Sequence, residues 1–81
     1  MQKAIRFRVR KELAPKEQLT VIKLKGTLIS KGYTEIIHIS DQDEEFHLNT
    51  FETPVEKSSE VEQYIADFIN VCNLSEAVSL N

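Results

Sequence analysis

The sequence predicts a small α+β domain in which two helices cover one face of a four-stranded antiparallel sheet. Three observations support this fold class: an alternating first strand, two apolar segments joined by a polar turn, and a strongly amphipathic helix near the C-terminus. The chain has 81 residues, the length of one domain, so we expect residues 1–81 to form a single unit. Its core is expected to be thin, because small domains bury a smaller share of their surface.

The first predicted strand, Gln2–Arg10, alternates apolar with charged side chains. Its apolar residues are Ile5, Phe7 and Val9, and its charged residues are Arg6, Arg8 and Arg10. Strict alternation is typical of a strand that is buried on one face only. We therefore expect the three arginines to project from the side of the sheet that the helices leave uncovered.

The segment Lys16–Lys31 is predicted to be a helix that begins after Pro15 and stops before Gly32. A strand over Thr20–Lys25 is the alternative, because this stretch is rich in β-branched residues. The cation in the last turn and the glycine just beyond it favour the helix. Four aliphatic residues suit its buried face: Leu19, Ile22, Leu28 and Ile29.

Two further strands, Thr34–Ser40 and Glu44–Glu52, flank a polar turn at Asp41–Asp43 and predict a hairpin. If the turn is centred between Gln42 and Asp43, an apolar face spans both strands, and a slip of one residue destroys it. In this register Ile39 faces Phe46, Ile37 faces Leu48, and His38 faces His47. The first two pairs are then buried and the histidine pair is exposed.

The second helix follows a break at Pro54, and Ser58 or Ser59 can cap it. Ser59 and Glu62 have the spacing of a capping box. Its apolar residues recur at helical spacing: Val61, Tyr64, Ile65, Phe68, Ile69 and Cys72. Asn73 suits the left-handed conformation that ends a helix, and Ser75–Leu80 is expected to be an edge strand. Cys72 is interpreted as a small core residue rather than a reactive thiol.

The order strand, helix, strand, strand, helix, strand is the split βαβ, or ferredoxin-like, pattern, with the first and third strands central. This arrangement serves many unrelated functions, so function has to be argued from a site. The predicted register gathers a candidate interface or ligand-binding surface on the uncovered side of the sheet: Arg6, Arg8, Arg10, His38, His47, Asn49 and Phe51.

That surface indicates a non-catalytic protein that binds a protein partner or a second copy of itself, since arginine and aromatic residues are enriched at interfaces. A module that binds single-stranded nucleic acid through the same arginines is the alternative. The sequence contains no glycine-rich phosphate loop, paired-cysteine motif or nucleophile elbow, so we expect neither an enzyme nor a cofactor.

No metal site is expected either. A cross-strand pair of His38 and His47 supplies two imidazoles, whereas zinc normally takes three or four protein ligands. The neighbouring arginines also repel a cation. The acidic residues of the turn, Asp41, Asp43, Glu44 and Glu45, lack the spacing and the internal glycine of a calcium loop.

The net charge of −3 argues against a general nucleic-acid binder, although most cations precede Lys31 and many acids lie between Asp41 and Glu62. No apolar run is long enough to cross a bilayer, and the N-terminus does not resemble a secretory signal. The lone cysteine fits a reducing compartment. We therefore expect a cytoplasmic protein with no membrane partner.

Overall fold

The computed structural model describes residues 1–80 and shows an α+β fold with a four-stranded antiparallel sheet and two helices. The elements are β1 (Gln2–Arg10), α1 (Pro15–Ser30), β2 (His38–Asp41), β3 (Phe46–Pro54), a 3₁₀ turn (Val55–Lys57), α2 (Ser58–Val71) and β4 (Val78–Leu80). The strand order is β2-β3-β1-β4, and every neighbouring pair is antiparallel. Within residues 1–80, no helix is long and apolar enough to cross a membrane.

The hydrophobic core lies between one face of the sheet and both helices. The predicted burial of Ile5, Phe7 and Val9 on β1 is confirmed. Phe7 packs edge-to-face against Phe51 of β3, with ring centroids 6.4 Å apart. The helices complete the core with Val21, Leu24 and Leu28 from α1 and Val61, Ile65 and Ile69 from α2.

Helix α1 is continuous, which rules out a strand over Thr20–Lys25. Pro15 occupies its first turn, and Gly32 beyond its end has a φ of 80°, which only glycine adopts easily. Of the four residues predicted for its buried face, only Leu28 is buried. Val21, Leu24 and Leu28 point to the core, whereas Leu19, Ile22 and Ile29 remain 69%, 63% and 45% exposed. Both faces carry aliphatic residues, so spacing alone did not separate them.

Helix α2 begins at Ser58, so both predicted caps, Ser58 and Ser59, lie inside the helix. The hydroxyl of Ser58 donates to the carbonyl of Val55, and no side chain caps the helix at its first residue. Asn73 has a φ of 56°, which confirms the predicted left-handed helix stop. The prediction for Cys72 was wrong. The helix ends at Val71, so the thiol lies beyond the part of α2 that packs on the sheet and is exposed.

The hairpin forms in a different register. Ile39 lies opposite Asn49, three residues from the predicted partner Phe46. The carboxylate of Asp43 fixes a longer turn by accepting the backbone N–H groups of Glu45 and Phe46 at 2.8 and 2.9 Å. Because the shift is an odd number of residues, every side chain of β3 changes face.

The second strand is shorter than predicted and starts at His38 rather than at Thr34. The hydroxyl of Thr34 donates to the carbonyl of Ile36 at 3.0 Å and lies 3.4 Å from its backbone nitrogen. This local turn occupies backbone groups that a longer strand uses for sheet pairing. The chain therefore leaves the edge of β3 before His38.

Candidate functional site

The sheet has one face that neither helix covers, and we call it the open face. Residues that lie directly opposite one another on neighbouring strands share a face, which makes the assignment unambiguous. The pairs on the open face are Gln2 with Pro54, Ala4 with Glu52, Arg6 with Thr50, Arg8 with Leu48, Arg10 with Phe46, His38 with Thr50, Ser40 with Leu48, and Arg8 with Ser79.

Four of the seven predicted site residues lie on the open face, namely Arg6, Arg8, Arg10 and His38. The other three project from the opposite, helix-covered face, because β3 is turned over relative to the prediction. These are His47 opposite Val9, Asn49 opposite Phe7, and Phe51 opposite Ile5. Asn49 and Phe51 are 0% and 1% exposed, so their predicted placement on an exposed surface was wrong.

The predicted histidine pair does not form. His38 lies opposite Thr50 on the open face, whereas His47 lies opposite Asp41 on the other face. The Nδ1 atom of His47 is 3.4 Å from Oδ1 of Asp41, and the Nζ atom of Lys11 is 3.3 Å from the same oxygen. Across residues 1–80, no group of three or more His, Cys, Asp or Glu side chains is arranged to hold a metal ion.

Arg8 contacts side chains of both neighbouring strands. Its guanidinium carbon lies 4.7 Å above the centroid of the Phe46 ring, and its Nε–H donates to the hydroxyl of Ser79 at 3.2 Å. The ring and the hydroxyl belong to the strands on either side of β1, so they hold the guanidinium across the middle of the sheet. Its terminal amino groups are left for a ligand.

The open face is positively charged in a chain that carries a net charge of −3. The salt bridges found within residues 1–80 involve Asp41, and none includes an arginine of β1. Arg6 and Arg10 are exposed, and Arg8 is half-buried against Phe46. Three guanidinium groups on alternate positions of one strand therefore form a stripe of positive charge that makes no salt bridge, and Glu52 is a carboxylate near its Arg6 end.

Sequence reasoning missed the apolar part of this face, which consists of Phe46 and Leu48. The predicted hairpin register places both side chains in the core. Asn49 and Phe51 lie on the opposite face of the same strand. Residue size does not separate the two phases, because each contains one phenylalanine; the structure buries Phe51, which lies opposite Ile5 and packs edge-to-face against Phe7. Phe46 and Leu48 are partly exposed beside the arginines.

Comparison of the chain with protein-family models, with curated proteins and with solved structures finds no match.

Proposed function

We propose that this chain is a non-catalytic cytoplasmic binding protein of ferredoxin-like topology that associates, through its open face, with an acidic surface of a protein partner or of a second copy of itself. The strand order and the antiparallel pairing support the topology. The exposed, unpaired thiol of Cys72 is in keeping with a reducing compartment.

The arginine stripe of β1 is the observation that carries the proposal. Three guanidinium groups without carboxylate partners in residues 1–80 are held on one flat surface, while the chain as a whole is acidic. A cluster of one sign steers a partner of the opposite sign and orients it. Planar guanidinium groups also bind carboxylates through two parallel hydrogen bonds.

The neighbouring side chains favour a protein surface as the ligand. Phe46 and Leu48 provide partly exposed apolar area directly beside Arg10 and Arg8, and Thr50 adds a hydroxyl. An apolar centre bordered by arginine is typical of protein interfaces. The exposed acidic turn at Asp41–Glu45 supplies matching charges on a second copy.

Two variants with the same change in charge test the proposal. Arg6→Glu with Arg10→Glu reverses the stripe, and both side chains are exposed. Lys16→Glu with Lys23→Glu makes the same change on the exposed surface of α1. Light scattering over a concentration series measures self-association, and fluorescence anisotropy measures binding of a labelled decaglutamate peptide as an acidic probe, each at low and high salt.

We expect self-association, probe binding or both at low salt, weakened by added salt. The arginine double variant should lose it, and the lysine double variant should retain it. A protein that is monomeric at every concentration and does not bind the probe contradicts the proposal. Equal losses in both double variants also contradict it, because binding then follows net charge rather than the open face.

Single-stranded nucleic acid is a second candidate because of the contact between Arg8 and Phe46. An aromatic ring on a central strand with a guanidinium above it is the kind of platform on which a base stacks. Titration with a labelled oligothymidylate separates this candidate from protein association. The nucleic-acid candidate predicts salt-sensitive binding of the oligothymidylate that is lost in Phe46→Ala as well as in the arginine double variant.

A further inference from the structure

The third strand has an edge that β2 covers only in part. β3 runs from Phe46 to Pro54 and pairs with β1 along its whole length. Its pairing with β2 ends where Thr50 meets His38. The same register places Ile37, which packs against the core, opposite Phe51, so residues 52–54 have a strand on one side and no chain paired on the other.

The backbone of Glu52 points toward this uncovered edge. In an antiparallel ladder the N–H and C=O groups of successive residues alternate between the two sides. Glu45 bonds to Lys11 and Val55 bonds to Met1 on the β1 side, whereas Phe46 bonds to Gln42 on the β2 side. By the same alternation Glu52 directs its N–H and C=O away from β1, and no backbone bond to it from the 31–37 connection is present.

The connection before β2 leaves this position open. Continuing the β2 register places Ile36 opposite Glu52. Instead, the hydroxyl of Thr34 donates to the carbonyl of Ile36 at 3.0 Å. The side chains of Thr34 and Ile36 line a surface pocket. The Thr34 turn thus prevents Ile36 from pairing with Glu52, and the backbone N–H and C=O of Glu52 have no partner strand on this side.

The pocket at this edge has a volume of about 900 Å³ and two chemically different walls. Ile29, Ile36 and Phe51 form an apolar wall, and the first two are 45% and 60% exposed. Glu35 and Glu52 line the pocket as well, and both are exposed. The site is therefore acidic and apolar, which distinguishes it from the arginine stripe.

We propose that this edge binds an extended segment of another protein as an added antiparallel β-strand, with a basic residue opposite Glu52 and an apolar residue opposite Thr53. The backbone of the basic residue pairs with the N–H and C=O of Glu52, and its cation meets the Glu52 and Glu35 carboxylates. The apolar side chain alternates to the helix-covered face, on the side of the pocket that Ile29 lines. Pro54, which has no N–H, limits the added strand to a few residues.

A labelled tripeptide, acetyl-Thr-Ile-Lys-amide, tests the proposal by fluorescence anisotropy with the full chain. Three comparisons define the site: a peptide with glutamate in place of the lysine, a peptide N-methylated at the lysine amide, and the protein variant Glu52→Lys. Glu76→Lys, at an exposed site near β4, is the matched control for the change in charge. Hydrogen exchange at the Glu52 amide reports strand addition directly.

We expect N-methylation to weaken binding about tenfold, because the central backbone bond to Glu52 is lost. Glu52→Lys should weaken binding of the lysine peptide about fivefold and should improve binding of the glutamate peptide, whereas Glu76→Lys should do neither. The lysine peptide should slow exchange at the Glu52 amide.

Three results overturn the proposal: binding that is insensitive to N-methylation, no protection of the Glu52 amide, or equal effects of Glu52→Lys and Glu76→Lys. The proposal is also overturned if the protein forms a dimer through this edge and the lysine peptide does not dissociate it, because the occupant is then a second copy. Arg10 lies opposite Phe46, six residues along β3 from Glu52, so Arg10→Glu should bind the peptide normally. Failure of this site and failure of the open-face proposal are therefore distinguishable.

Discussion

Asn49 lies directly opposite Phe7 in the middle of the sheet, and its side chain is completely shielded from solvent. Neither Oδ1 nor Nδ2 of its amide has a hydrogen-bond partner among residues 1–80. A buried polar group without a partner costs free energy, because it gives up its hydrogen bonds to water. The burial of Phe51 two residues along the same face offsets this cost.

Replacing Asn49 by leucine should therefore stabilise the protein. We expect Asn49→Leu to raise the free energy of unfolding by about 1–3 kcal/mol, because an apolar side chain of similar volume removes an unpaired amide from the core. Urea denaturation followed by circular dichroism measures the change. Asn49→Ala is the comparison that separates loss of the amide from loss of volume, since it also leaves a cavity. A lower stability of Asn49→Leu contradicts this account of the core.

The two glycines of the chain should respond in opposite directions to substitution by alanine. A Cβ atom at Gly26 meets nothing within 4 Å, so Gly26→Ala should stabilise α1 by about 0.5–1 kcal/mol through helix propensity and a less flexible unfolded chain. Gly32 has a φ of 80°, so Gly32→Ala should destabilise the protein by about 1–2 kcal/mol. Thermal unfolding of both variants tests the pair, and a stabilising Gly32→Ala is the result that contradicts it.

Asp43 should make the stability of the hairpin depend on pH. Two backbone N–H groups donate to its carboxylate, first that of Glu45 and then that of Phe46, and they hold the pKa of Asp43 below its ordinary value of 3.8. A lowered folded-state pKa contributes stability that is present above the unfolded pKa and is lost as the pH falls through the folded one. We therefore expect Asp43→Ala to lower the urea midpoint at pH 6 and to have a smaller effect near pH 2.

The conservative variant separates charge from hydrogen bonding at this turn. Asn retains an acceptor oxygen, so Asp43→Asn should lower the urea midpoint at pH 6 less than Asp43→Ala does. An Asp43→Ala effect of the same size at pH 6 and at low pH is incompatible with a contribution from the ionised carboxylate.

The sequence predicts the elements with one strong periodicity and fails where two patterns compete. Strand β1 has the predicted bounds Gln2–Arg10, because its apolar and charged residues occupy separate phases. β3 has apolar residues in both phases, Leu48 in one and Phe51 in the other, so alternation does not decide which phase is buried. The turn decides it, through two hydrogen bonds to Asp43 that no periodicity encodes.

The same distinction applies to the candidate site. The arginine stripe depends only on β1, and its position on the open face could be predicted. His47, Asn49 and Phe51 depend on the hairpin register, and the structure places them on the other face. The free edge at Glu52 depends on where β2 begins, which is set by the hydroxyl of Thr34. Hydrophobic periodicity does not predict features that depend on one side chain in a loop.

Tyr33 should link the stability of the fold to alkaline pH. Its hydroxyl donates to the Glu60 carboxylate at 2.5 Å, and this hydrogen bond, followed by burial, raises the pKa of Tyr33 above its ordinary value of 10.0. A raised folded-state pKa contributes stability that is fully present below the unfolded pKa and is lost as the pH rises through the folded one. We expect Tyr33→Phe to lower the urea midpoint at pH 7 and to have a smaller effect above pH 11.

Tyr64 provides the matched control, because its ring lies 6.3 Å from that of Tyr33 and the chain has no other tyrosine. Tyr64→Phe should leave the alkaline loss of stability in place, and the tyrosinate absorbance of this variant then reports Tyr33 alone. Tyr33→Phe should also remove the part of that loss that begins above pH 10. If the two variants follow the same stability profile above pH 10, the hydrogen bond between Tyr33 and Glu60 does not join the end of α1 to α2 in solution.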